Sequence, residues 1–148
     1  GACISWAPKN LGSWLIMSSV RWMVENTDFR YFTAYSDPEA KELGTIYQAC
    51  NFIYTGMSDK RTEWREKNSN RHSKTLCEQI SLEERKANPN KYEVVDRPRK
   101  HRYVYFVGNK TQKKNLMNSL NYPIAPYPKG DNKRYDSGSK VSVQGNLF

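Results

Sequence analysis

The stretch Gly44-Thr45-Ile46-Tyr47-Gln48-Ala49-Cys50-Asn51-Phe52-Ile53-Tyr54-Thr55-Gly56 decides the reading of this chain. Leu43 to Cys50 reads as a short helix with Ile46 and Ala49 turned inward. Asn51 closes it, because Asn tolerates the left-handed conformation that ends helices. Phe52-Ile53-Tyr54-Thr55 is aromatic and β-branched, the composition of a strand, and Gly56 stops it.

Upstream, Phe29-Arg30-Tyr31-Phe32-Thr33-Ala34-Tyr35 reads as another strand, followed by a turn at Ser36-Asp37-Pro38-Glu39. A residue before proline is pushed away from helical backbone angles, so Asp37 marks the break. Residues 8–26 form a helix that opens on the turn-like Pro8-Lys9-Asn10-Leu11-Gly12-Ser13 and runs through Trp14, Leu15, Met17, Val20, Trp22, Met23 and Val24. Helix, strand, helix, strand is the order of an α/β fold.

Downstream the composition changes. Residues 1–56 hold four basic and five acidic residues, whereas residues 57–148 hold 20 basic and 10 acidic ones, which accounts for the net charge of +9. Such asymmetry suits a polyanionic partner, most simply nucleic acid, and equally describes a solvated basic surface. Residues 57–75 are polar and basic around Trp64 and read as a mobile loop. Residues 74–87 read as one short amphipathic helix, Tyr92–Val95 as a short strand and Tyr103–Val107 as a convincing one. Lys110–Leu120 reads as a basic helix, residues 122–128 as extended chain, and residues 131–148 as a tail of weak structure.

The 148 residues suit a single domain in three parts, 1–56, 57–130 and the tail. No apolar run approaches the ~20 residues of a membrane span, so no membrane role is expected. Cys3, Cys50 and Cys77 are odd in number and lack any CxxC spacing. Together with only two histidines they support no metal site and no disulfide framework, and a cytoplasmic setting is expected.

Two segments carry candidate chemistry. A small-residue turn that opens a helix leaves backbone N–H groups aimed at one spot, a cradle for phosphate. Lys9, Asn10, Gly12 and Ser13 are its candidates, and an ordinary helix start has the same pattern. The run Arg99-Lys100-His101-Arg102-Tyr103 combines cations for phosphates with aromatics for base stacking. Arg61 and Arg65, with Trp64 and Arg71, form a second candidate contact, or a solvated charged face. Cys50, on the inward side of its helix with no nearby His, reads as packing and not as a nucleophile.

The helix with an Ile-Tyr pair, the turn and the strand of residues 44–56 resemble the closing element of GNAT acyltransferases. A closer resemblance joins four blocks: Ala7-Pro8-Lys9-Asn10, Tyr35-Ser36-Asp37-Pro38, Gly44 to Phe52, and Lys100 to Phe106. Together with Tyr122-Pro123 and Pro126 to Gly130, they look like the phage Mom group of DNA-modification proteins over residues 3–130. The resemblance implies a GNAT-like mixed sheet flanked by helices. It also implies transfer from acetyl-CoA or a related acyl-CoA to the exocyclic amine of adenine in DNA, protecting phage DNA from restriction in an infected host.

On that resemblance Asp37 positions or deprotonates the amine, Tyr47 serves the departing sulfur, Ser36 holds the acyl carbonyl, and Lys9, Asn10, Gly12 and Ser13 take the pyrophosphate. The strands that precede the CoA-binding turn in that fold have no counterpart before Ala7. They are expected to be missing, or supplied by a further N-terminal segment or a second chain. Two rival functions stand beside this one: a GNAT enzyme acting on a protein lysine or small amine, and a non-catalytic nucleic-acid-binding module.

Overall fold

A computed structural model of the chain describes residue 8 and residues 10–131. The expected tail therefore lies outside the described residues, apart from Asp131. The chain divides into two compact units, residues 1–56 with 101–148, and residues 57–100.

In the first unit, α1 (Leu11–Asn26) leads into β1 (Tyr31–Ser36), α2 (Thr45–Ala49) and β2 (Ile53–Met57). This is the helix, strand, helix, strand order read from the sequence, and the α/β class follows from it. Asn51 adopts φ 58°, and the chain behind it is tied by Phe52 N–H donating to the Tyr47 carbonyl at 3.0 Å. That is the left-handed helix stop expected of Asn.

The remaining strand of this unit, β5 (His101–Phe106), comes from far along the chain and lies between β1 and β2. It pairs antiparallel with β1, Ser36 opposite His101 and Tyr31 opposite Phe106. Alternation then sorts the side chains. Phe32, Ala34 and Ser36 share a face with Tyr105, Tyr103 and His101, while Arg102 and Val104 take the other.

α1 packs Ile16, Met17, Val20 and Val24 toward the core residues Cys50, Phe52, Tyr54 and Tyr103. Full burial of a side chain such as Phe52 contributes about 1.5–3 kcal/mol. Trp14, Leu15 and Trp22 stay exposed on the rest of α1. On the far face Arg102 lies 3.3 Å from the ring centroid of Tyr122 and donates to Thr55 Oγ1 at 3.0 Å. The extended segment after residue 120 covers the outer side of β2, where Ala125 N–H donates to the Tyr54 carbonyl at 3.0 Å and Tyr127 Oη to the Phe52 carbonyl at 2.6 Å. The last helix, α5 (Lys110–Asn118), is started by a reciprocal cap between Asn109 and Gln112.

The second unit corrects two expectations. The polar segment 57–75 is not a loop throughout: β3 (Arg61–Glu66) pairs antiparallel with β4 (Tyr92–Arg97), Trp64 opposite Val94. The alternating polar residues of β3 hid a strand whose stability comes from its partner. Residues 74–87 form two helices, α3 (Ser73–Gln79) and α4 (Leu82–Ala87), because Ser81 caps a new start by accepting from Glu84 N–H. Leu76 and Tyr92 are buried here, and the Arg85 guanidinium sits 5.3 Å from the Trp64 ring centroid. No helix among the described residues is long and apolar enough to cross a membrane.

Candidate functional site

β1 ends on Ser36, and the chain turns sharply at Asp37. Glu42 N–H donates to the Asp37 carbonyl at 2.9 Å, closing the turn, and the Asp37 carboxylate accepts Glu39 N–H at 3.0 Å. The side chain thus organises its own turn, as Asp commonly does. Gly44 follows at φ 71°, a backbone state that favours glycine. A β-carbon there would stand 2.5 Å from the Tyr103 ring and 2.8 Å from Ser36 Oγ. Gly44 therefore lets β1, α2 and β5 converge.

Ser36 is 4% exposed, and its hydroxyl has no hydrogen-bond partner among the described residues. A buried unsatisfied hydroxyl costs about 1–3 kcal/mol, so it calls for an explanation. Tyr103, fully buried, donates its hydroxyl to the Leu43 carbonyl and accepts from Gln48 Nε2 at 3.1 Å. Tyr47 on α2 packs its ring 5.5 Å from that of Tyr103. Its phenol is pushed above the usual range, first by burial and then by the neighbouring Glu42 and Cys50. It remains a proton carrier at neutral pH.

Opposite Ser36, His101 is held at Nδ1 by the Tyr54 hydroxyl at 2.9 Å. Burial lowers the His101 pKa below that of a free imidazole. Ser36, Asp37, Glu42, Tyr47, Tyr54, His101 and Tyr103 thus gather around the end of β1. Glu42, Tyr54 and Gln48 were missed in the sequence reading, and so was the placement of His101 here. The one local signal was Gly44 just after the turn.

The proposed phosphate cradle is at the start of α1. Asn10 stands at its N-cap with φ 67° and no side-chain cap, and no acidic residue occupies the first turn. Ser13 Oγ donates to the Asn10 carbonyl at 3.0 Å, and the Ser13 carbonyl lies 3.6 Å from Cys50 Sγ. The Gly12 and Ser13 N–H groups precede any intrahelical acceptor, as at every helix start. Lys9 lies outside the described residues.

The expected cation–aromatic run divides. Arg99 and Lys100 belong to the second unit with Arg61 and Arg65. Arg99 is spent on the Ser58 carbonyl at 2.6 Å, and Lys100 N–H donates to Ser58 Oγ at 2.9 Å. Arg65 pairs with Glu63 at 2.9 Å, while Arg61 is exposed. His101, Arg102 and Tyr103 are 8%, 5% and 0% exposed. That is a correction to the sequence reading: as part of a central strand they build the two faces of the sheet and present no stacking surface.

These elements define an α/β protein with a polar, partly buried cluster at a strand end and a helix start whose own first turn carries no acidic residue. The model of the Mom protein family matches residues 3–129, and the chain belongs to that family. Membership points to phage DNA modification as its task. No curated protein matches the chain.

Proposed function

We propose that the chain is a GNAT-like transferase that modifies the exocyclic amine of adenine in phage DNA with an acyl-CoA donor, protecting that DNA from restriction. The observation that carries this reading is the buried, unpartnered Ser36 hydroxyl beside Asp37, in a fold unit that also holds Tyr47. Such a hydroxyl suits a ligand oxygen.

The start of α1 fits an anionic donor because no side chain of the first turn neutralises it. When bound, the acyl-CoA supplies an activated carbonyl carbon. Gly12 and Ser13 offer N–H groups to its phosphates, Asn10 shapes the turn, and Lys9 adds a positive charge. Ser36 Oγ donates a hydrogen bond to the carbonyl oxygen. Adenine's amine is a poor nucleophile, since its lone pair is delocalised into the ring, so Asp37 accepts its proton as it attacks. Tyr47, held protonated by burial and by Glu42, would give the departing sulfur its proton as the acyl carbon–sulfur bond breaks. The base must leave the helical stack to reach these groups.

The same reading assigns the outer edge of β1, unpaired among the described residues, to a strand from a further N-terminal segment or a second chain. Mass spectrometry of nucleosides from cells expressing the protein tests the function. A new deoxyadenosine adduct, absent with Asp37→Asn, is expected. Unmodified DNA alongside acylated lysines or small amines would replace this reading with the rival enzyme.

A further inference from the structure

Residues 97–130 contain eight Lys and Arg and not one Asp or Glu. Within this stretch α5 places Lys110, Lys113 and Lys114 at positions i, i+3 and i+4, which share one side of a helix. All three are exposed. Leu116 and Met117 further along the helix are half-buried, Met117 on the same stripe as the lysines.

Five cations of the second unit behave differently. Arg65, Arg71, Lys74, Lys91 and Arg97 each stand within 4 Å of a glutamate. Among the described residues no ion pair reaches the lysines of α5. Their mutual repulsion disfavours the helix. The helix does not need them to form, since the Asn109–Gln112 cap secures its first turn. A concentrated positive face with no counter-charge among the described residues is the footprint of an external polyanion.

We propose that the Lys110–Lys113–Lys114 face of α5 binds the phosphate backbone of the DNA, positioning it without reading its sequence. The choice of DNA rests on the functional reading above, and the surface rests on the charge arrangement. Flexible lysine ammonium groups suit phosphates as point charges. Lys110 and Lys114 are separated by about 6 Å along the helix axis, enough to meet more than one phosphate of a strand. Contacts of this kind orient a duplex and leave base selection to the site.

Binding of the full chain to a short mixed-sequence duplex, followed by fluorescence anisotropy across a salt series, tests the surface. Glutamine keeps good helix propensity, so K110Q/K113Q/K114Q preserves α5. The triple variant is expected to lower the slope of log affinity against log salt by roughly 2–3, at about 0.9 per phosphate contact. K74Q, which removes a cation already paired with Glu78, is expected to leave the slope unchanged. An unaltered slope in the triple variant, or no DNA binding by the parent chain, overturns the proposal. If the triple variant loses its slope and the parent chain still leaves DNA unmodified in cells, the surface stands and the catalytic reading falls.

Discussion

The Tyr54 hydroxyl and His101 Nδ1 lie 2.9 Å apart between β2 and β5, both side chains buried, opposite the unpartnered hydroxyl of Ser36. Burial holds the His101 pKa below its ordinary value of 6.5. The unfolded chain therefore binds a proton on this residue more readily than the folded one. The stability of neutral His101 is fully present above pH 6.5 and is lost as pH falls through the lower, folded value. Thermal melts between about pH 8 and 5 should show a steeper acid loss for the parent chain than for His101→Gln. Parallel curves would rule out this role for His101. Tyr54→Phe leaves a buried ring nitrogen without its partner and should cost about 1–3 kcal/mol.

Gly44→Ala meets two obstacles at once. Its backbone angle disfavours a side chain, and the new methyl would press on the Tyr103 ring and Ser36 Oγ. A loss of at least about 1–3 kcal/mol is expected from the backbone alone. Denaturant titration measures it, and an unchanged midpoint would contradict the close packing at this turn.

Asp37→Asn separates chemistry from architecture. The amide oxygen can still accept Glu39 N–H, so the turn survives, while proton acceptance is lost. Modification of DNA should fall by about 10²–10⁴-fold. The stability should fall by no more than the roughly 1 kcal/mol of one weakened hydrogen bond. Equal adduct yields in parent and variant would remove Asp37 from the mechanism.

Two cysteines should differ in reactivity. Cys50 is buried, and burial pushes its thiol pKa up, whereas Cys77 is exposed. Alkylation of the native chain followed by peptide mass spectrometry should label Cys77 well ahead of Cys50. Cys50→Ala should retain DNA modification, and its loss would give that thiol a part in catalysis.

Much of the first unit was legible because its signals are local. The aromatic and β-branched run of residues 29–35 announced β1, and Asn51 announced its left-handed turn. Asp37 before Pro38 marked the strand end where the cluster forms. The apolar residues of α1 marked a helix, although its exposed Trp14 and Trp22 could not be told from its buried Val20. The second unit was less legible. The polar pattern of Arg61–Glu66 satisfies no burial rule by itself, and its strand exists through pairing with Tyr92–Arg97.

The α/β order, the basic second half and the carboxylate-free stretch around α5 are written in neighbouring residues and can be read without the fold. That the distant strand His101–Phe106 lies between β1 and β2 emerges only once the chain is folded. That placement buries Arg102 and Tyr103, sets Tyr54 against His101, and puts His101 opposite Ser36. The physical reason is that strand pairing joins backbone groups far apart in the chain. Propensity and periodicity, which act over a few residues, carry no information about which strand becomes the neighbour.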